Sequence, residues 1–328
     1  MSVNARNKSR NYILIVLGLI VLGVVPVLVK NNYTMRIACQ IVYYAVMAGS
    51  LNVINGFTNQ FSIGHAGFIA VGCYSCVILQ TKLGVNFWFS MLIAALITAL
   101  IGILVALPTL NLSGIYLSFV TLGFSEIIRL VALNWTPVTG GPMGIKGIPV
   151  PVIFGKTFRS PSDYYYLFLI VAVLFYFCTH RVINSRVGRA WMSIREDQHA
   201  AQSIGVEISR YKMLNFIYAT FWAGLIGAFY GPYMQYVDST LFTLDEGFNV
   251  LSMVIIGGMG TMLGPIVGSS IVNLLNEILR PINEYRLVAY GALIILTMWI
   301  RPQGIVGASN SVLSGKLTAK SQQKKEAA

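Results

Sequence analysis

The stretch IACQIVYYAVMAGSLNVINGFTNQFSIGHAGFIAVGCYSCVILQT, residues 37–81, contains no Asp, Glu, Lys or Arg. Two further stretches, 83–125 and 247–276, are equally free of charge. Uncharged runs of 45, 43 and 30 residues exceed the roughly 20 that a helix needs to cross hydrocarbon, so lipid is the solvent for most of this chain. Composition agrees. The 23 Lys and Arg and 11 Asp and Glu make 34 charged residues in 328, or 10%, where a soluble domain carries roughly 25%. That excludes a conventional globular enzyme and predicts an all-α polytopic membrane protein.

Working outward from 37–81, spans read at 11–29, 37–54, 61–80, 87–107, 112–133, 164–179 and 213–233. The first is taken as a retained helix rather than a cleaved leader, because Val27-Leu28-Val29-Lys30 offers no small-x-small cleavage site. Net charge is +12, yet position matters more than the sum. Fourteen of the 23 basic residues sit in three short segments: Arg6, Lys8 and Arg10, six in 181–212, and five from Arg301 onward. This is the cytoplasmic bias of short loops, not a nucleic-acid surface. The segment 235–247 has Asp238, Asp245 and Glu246 with no basic residue and is placed outside.

Parity then constrains the remainder. Six crossings return the chain to the cytoplasm at Arg181, and the seventh exits at the acidic segment. Two simple crossings afterwards would leave the Lys-rich tail outside, so the chain must turn within the membrane. The turn is assigned to Gly257-Gly258-Met259-Gly260-Thr261-Met262-Leu263-Gly264-Pro265, since irregular backbone at depth is tolerated only where protein or a water-filled cavity covers it. Segments 248–256 and 264–279 form a broken or re-entrant pair, and a last span covers about 283–300, for about eight spans in all. A second punctuated segment carries Gly56 and Gly64-His65-Ala66-Gly67. Leu51 and Gly64 are thirteen apart, as are Leu251 and Gly264, which hints at an internal repeat.

Chemistry is scarce. Cys39, Cys73, Cys76 and Cys178 all lie in apolar stretches and read as small hydrophobes, Cys73 and Cys76 included despite their C-x-x-C spacing. There is no H-E-x-x-H, and neighbouring acids such as Asp245-Glu246 diverge on a helix. Gly155-Lys156-Thr157 ends like a phosphate-binding loop, but Val150 stands where its first Gly belongs. No catalytic, metal or cofactor site is expected. Glu126 and Arg129 can pair on one helix face, either as a polar patch lining a pore or as a structural ion pair near the outer end of the span. His65 is a lone imidazole among small residues. Ser62, Gly64, His65, Glu126, Gly257, Gly258, Gly260 and Gly264 are the candidates for a translocation pathway, because exposed backbone and polar groups at depth need water, substrate or protein partners.

The sharper signal is in the loop 181–212: Gly188-Arg189-Ala190-Trp191-Met192-Ser193-Ile194-Arg195-Glu196-Asp197-Gln198-His199-Ala200-Ala201-Gln202-Ser203-Ile204-Gly205. A short helix ended by a flexible residue, with small side chains for close packing of another subunit, is the reading; a surface-lying amphipathic helix or a solvated connector is the rival. Here the chain resembles the LivM-like permease subunits of branched-chain amino-acid ABC importers, whose coupling loop follows G-R-A-x-x-x-I-R-E-D-x-x-A-A-x-x-x-G. Phe61-Ser62-Ile63-Gly64-His65-Ala66-Gly67-Phe68, Thr121-Leu122-Gly123-Phe124-Ser125-Glu126, Thr139-Gly140-Gly141 and Arg301-Pro302-Gln303-Gly304 extend the resemblance over nearly the whole chain. Ser113 and Cys73 depart from it, standing where Arg and Ala are usual.

The resemblance implies an ABC importer permease fold: a transmembrane permease domain over 1–300 and a basic cytoplasmic tail over 301–328. It implies assembly with a second, related permease, two cytoplasmic ABC ATPases and an extracytoplasmic amino-acid-binding protein. Arg195, Glu196, Asp197, Ala200, Ala201 and Gly205 would dock the ATPase. The chain would supply half of a pathway for leucine, isoleucine and valine in the cytoplasmic (inner) membrane, with both termini cytoplasmic, and would hydrolyse no ATP itself. Import of urea, amides or other amino acids, and ion-coupled secondary transport through Glu126, remain the alternatives.

Overall fold

In the computed structural model the described residues are 31–110, 114–153, 155–280, 286–301 and 303–307, with Gly23 and Pro26 as two helical positions inside the first expected span. The rest of 11–29 and the tail 308–328 lie outside the described residues. Among the described residues the helices longer than one turn are, in chain order, α1 (Asn32–Phe57), α2 (His65–Leu83), α3 (Phe87–Thr109), α4 (Ile115–Asn134), α5 (Pro161–Ile183), α6 (Arg186–Glu196), α7 (Gln198–Ser203), α8 (Ile208–Met234), α9 (Leu244–Gly257), α10 (Gly264–Ile278) and α11 (Arg286–Ile300). Six of them, α1 to α5 and α8, are long and apolar enough to cross a membrane. The 14 to 15 residues of α9, α10 and α11 give only about 21–22 Å each.

Helix ends depart from the expected spans for local reasons. Helix α5 begins at Pro161, not at Tyr164, because Ser160 and Asp163 form a capping box and the charged Asp163 belongs to the helix start. Helix α1 starts early on the Asn31 cap, whose side chain accepts from Tyr33 N–H at 3.0 Å. The expected helix over 61–80 is corrected at its front, since Phe61 to Gly64 is not helical and α2 opens only at His65. Gly155-Lys156-Thr157 falls in a hairpin of β2 (Val152–Ile153) and β3 (Lys156–Thr157), with Lys156 paired to Asp163 at 2.8 Å, so its resemblance to a phosphate loop has no structural counterpart.

Three helices form the interior. The apolar windows of α1, α2 and α8 are each 67% buried, against 39% for α3, 33% for α5 and 28% for α4. Small residues bring α8 against α2 and α3: a Cβ on Gly72 would strike the Gly224 backbone, one on Gly224 would strike Thr98, and one on Gly102 would strike Thr220. Such close approach is how apolar helices gain contact in lipid, where no hydrophobic force distinguishes helix from solvent. The outer face of α3 carries exposed Leu92, Leu96, Leu100 and Leu104, one stripe at four-residue spacing. At the far end, β1 (Ile145–Lys146) pairs with β4 (Tyr236–Val237) and ties the segment after α4 to the segment after α8.

Candidate functional site

Two helix interruptions meet at one point. Helix α1 ends at Phe57 and chain resumes as α2 at His65; α9 ends at Gly257 and resumes as α10 at Gly264. The two breaks thus occupy matching places around the thirteen-residue spacings seen in the sequence. They are also in contact. Asn52 Oδ1 accepts from Gly260 N–H at 2.8 Å and Asn52 Nδ2 donates to the Thr261 carbonyl at 2.9 Å. A Cβ at Gly56 would collide with the Gly260 backbone, so the approach requires glycine.

Each break is closed by its own polar set. In the first, Asn55 bonds both the Ser62 carbonyl (3.1 Å) and the Ser62 N–H (3.0 Å), Ser118 donates to the Phe61 carbonyl at 2.7 Å, and Thr121 accepts from Ile63 N–H at 3.2 Å. Asn215 of α8 donates to the Val53 carbonyl at 2.9 Å. In the second, Thr261 donates to the Gly258 carbonyl at 2.9 Å and accepts from Gly264 N–H at 3.0 Å. Gly258 and Gly260 have φ of +122° and +74°, a region L side chains enter only under strain. Ile305 and Val306 N–H donate to the Ile256 and Gly257 carbonyls, both at 3.0 Å. Residues 303–307, assigned to the tail by sequence, therefore close over the end of α9.

The pathway candidates separate here. Ser62 and His65 are fully buried, and Gly64 abuts α4 so closely that a Cβ would strike the Thr121 carbonyl. His65 Nε2 lies 2.7 Å from Ser50 Oγ, while its Nδ1 and the Ser62 hydroxyl have no partner among the described residues. Gly257, Gly258, Gly260 and Gly264 all lie in or beside the second break. Glu126 stands apart on half-exposed α4: Arg129 donates to its carboxylate from Nε, 3.0 Å from each oxygen, and from Nη2 to Oε1, a pairing that satisfies the carboxylate within one turn. Asn52, Asn55, Ser118, Thr121 and Asn215, which hold the breaks, were missed by sequence reasoning. Their signal was amides and hydroxyls inside uncharged runs, since polar groups at depth are there to be bonded.

Of the loop 181–212, residues 181–183 finish α5 and 208–212 begin α8, and two helices, α6 and α7, lie between. Ser185 caps α6 by accepting from Val187 N–H at 3.1 Å, and buried Trp191 donates from Nε1 to the Tyr211 carbonyl at 2.9 Å, fastening α6 to α8. Asp197 then ends α6 and caps α7, accepting from His199 and Ala200 N–H at 2.8 and 3.0 Å. Those backbone donors, Ala200 first and then His199, hold the Asp197 carboxyl below its ordinary range. Gly205 closes α7 at φ +86°, with Gly205 N–H to the Gln202 carbonyl and Val206 N–H to the Ala201 carbonyl, both 3.0 Å: the two bonds of a Schellman end. The paired alanines divide, because Ala201 is buried in the subunit and Ala200 is exposed, as are Glu196 and Asp197. Arg195 reaches inward. A Cβ placed on Gly260 would run into its guanidinium, so α6 rests on the second break.

Among the described residues no group of His, Cys, Asp and Glu could hold a metal ion, and the four cysteines are free thiols.

Comparison with known proteins agrees with this architecture. The family described as branched-chain amino acid transport system / permease component matches residues 33–298. The high-affinity branched-chain amino acid transport system permease protein LivM of Escherichia coli is 34% identical over 316 residues, 89% of this chain and 74% of that protein. LivH of Salmonella typhimurium, from the same kind of system, is 22% identical over 80% of this chain and 91% of its own length. A nucleoside ABC transporter permease, NupC of Lactococcus lactis, is 24% identical over 73% of this chain and 81% of its own. No solved structure matches the chain.

Proposed function

The chain belongs to the branched-chain amino acid transport system permease family and is a multi-pass membrane protein; on that premise we propose that it forms half of the translocation pathway of an ATP-driven importer of leucine, isoleucine and valine. The other half is a second permease related to it as LivH is, both being similar to this chain. Two cytoplasmic ATPases bind beneath, and an extracytoplasmic binding protein delivers substrate from above. The membrane is the cytoplasmic one, with both termini, α6 and α7 on its inner side.

One observation carries the reading: Arg195 of α6 packs on Gly260, inside the break that also touches Gly56 at the end of α1. Motion of an ATPase against the exposed residues Glu196, Asp197 and Ala200 moves α6, and Arg195 passes that motion to both interruptions at once. Gly205 and Ala201 shape the α7 end of the docking element. Ser62, Gly64, His65 and the glycines of the second break border the route, their present partners exchanging as the two permeases rock between outward-open and inward-open states. Hydrolysis belongs to the ATPases, and no cofactor is needed.

Substrate class varies among relatives, as the nucleoside permease illustrates, so urea, amides or other amino acids stand as the alternative cargo. Ion-coupled carriage is disfavoured by the Arg129 pairing, which leaves Glu126 no free carboxylate to cycle a proton. The test is uptake of radiolabelled leucine, isoleucine and valine by vesicles holding all subunits and the binding protein. Uptake that requires ATP and the binding protein supports the importer. Uptake persisting without either overturns it in favour of a carrier.

A further inference from the structure

Helix α4 is the least buried of the six candidate spans, with 28% of its apolar window covered. Tyr116, Phe119, Val120, Ile127 and Leu130 are exposed along one of its faces, and a Cβ on Gly123 among them would meet nothing within 4 Å. On the flank of that face stand Glu126 and Arg129, their side chains 32% and 24% exposed. The open stripe of α3 is different: Leu92, Leu96, Leu100 and Leu104 belong to a helix with no charged residue at all. One open face suits hydrocarbon, and the other carries an ion pair.

Depth makes the pair informative. The 20 residues of α4 run from Ile115 to Asn134, so Glu126 lies about 16 Å along a helix of about 30 Å, near its middle. Charge at that depth is costly against lipid, and a lipid-facing Arg relieves the cost by reaching for the nearer interface. Arg129 does the reverse: with the Asn134 end close by, it bends back one turn toward the middle and bonds Glu126. Among the described residues the other three ion pairs stand at helix ends or beside them, leaving this one inside a membrane helix. The opposite face of α4 is packed on the first break, where Ser118 and Thr121 bond Phe61 and Ile63 and where a Cβ on Gly67 would strike Ser125. That break touches the second one, on which Arg195 rests, so packed contacts run unbroken from α6 to α4.

We propose that the open face of α4 is this subunit's wall of the translocation route: it looks across water at the second permease, with Glu126 and Arg129 as its polar station at mid-depth. The assignment rests on the import reading and deepens it by naming the helix that meets the cargo. A carboxylate and a guanidinium, neutral in sum, keep that stretch hydrated. They also present opposite charges to the ammonium and carboxylate of a passing zwitterionic amino acid, and because each is already engaged by the other, neither holds the cargo too tightly for it to leave. The exposed apolar residues above and below the pair face its aliphatic side chain.

The experiment labels single cysteines in the complete importer held in lipid nanodiscs, with and without ATP, using a charged thiol reagent that reaches both faces and does not enter lipid. The background carries Cys178→Ser, since the other three native cysteines are buried. Phe119→Cys, Gly123→Cys and Ile127→Cys report the α4 face. Leu96→Cys and Leu100→Cys on α3 are the controls, at 61% and 59% exposed a match for Phe119 and Ile127 at 65% and 60%. A thiol reacts as the thiolate, which hydrocarbon does not support, so the α4 thiols are expected to react at least about tenfold faster than the α3 thiols in one nucleotide state or the other. Thiols on α4 that react no faster than those on α3 in both states put the two faces in the same solvent and overturn the wall. Unreactive α4 thiols that crosslink to the second permease, or three α4 variants that all lose it on copurification, show a dry contact and overturn it too. Uptake of radiolabelled leucine, isoleucine and valine by Cys178→Ser vesicles holding all subunits is measured separately: its absence refutes the import reading, whereas labelling needs no transport and tests the α4 face alone.

Discussion

At the scale of single residues, the position where the fewest atoms decide the most is Gly260. Its φ of +74° and its contact with both Arg195 and Gly56 mean that any side chain there meets two obstacles, one in the backbone and one in space. The backbone cost alone is roughly 1–2 kcal/mol. Gly260→Ala is therefore expected to leave a chain that inserts but couples poorly, with substrate uptake per ATP hydrolysed reduced about tenfold. Arg195→Ala removes the guanidinium, the nearest obstacle in space, but leaves the Gly56 carbonyl and the backbone cost. The double variant should then couple better than the sum of the single losses predicts, a positive interaction in a double-mutant cycle. Strict additivity of the two losses would show that Arg195 and Gly260 do not act on each other.

At the scale of elements, α6 and α7 divide labour around Asp197. The N-cap carboxylate is favoured in its ionised form by the Ala200 and His199 N–H groups, so its folded-state pKa lies below the unfolded value. A depressed carboxylate contributes stability that is present above the unfolded pKa and lost as pH falls through the folded one. Protection of the His199 and Ala200 amides from hydrogen exchange should accordingly hold at neutral pH and fall on acidification below the ordinary Asp range. In Asp197→Asn, which keeps an acceptor, that acid dependence should vanish; if it persists unchanged, another group is responsible. At the other end of α7, Gly205 has open space around it, so the cost of Gly205→Val lies in the backbone, not in a clash. The Val variant is expected to insert and pair with the second permease while ATPase copurification, substrate-stimulated hydrolysis and uptake fall together. Gly205→Asn should be milder, since Asn tolerates the left-handed region. A Val variant that docks and transports normally would return the segment to a plain connector.

At the scale of the whole molecule, the open question is sidedness, and single-cysteine labelling reads it. Three native cysteines are buried and only Cys178 is partly exposed, so a Cys178→Ser background is quiet. Arg186 and Thr240 are better probes than their neighbours Ser185 and Asp238, because both are exposed where those two are partly buried. Arg186→Cys should react only with reagent that has entered the cell, and Thr240→Cys with impermeant reagent outside. Ser314, beyond the described residues, belongs with Arg186 if α9, α10 and α11 return the tail to the cytoplasm. Impermeant labelling of Ser314→Cys in intact cells would sink that topology and the parity argument behind it.

The sequence by itself determined the solvent and most of the architecture. Charge-free runs mark where lipid must be met, and each long helix contains most of an expected span because backbone groups in lipid have no partner except their own helix. It also marked Gly257 to Pro265 as a break and 181–212 as the conspicuous loop, since glycine, proline and a dense motif are local signals. Tertiary structure alone decided what those signals face. That Asn52 bonds Gly260 and Thr261, more than two hundred positions away, that Arg195 rests on the same break, and that Ile305 and Val306 close over it are matters of packing between distant segments. Nor could sequence bring Tyr43 and Tyr44 of α1 against Tyr230 and Tyr233 of α8, because apolar helices in lipid choose their neighbours by shape and scattered polar contacts, and neither is written in any one stretch of chain.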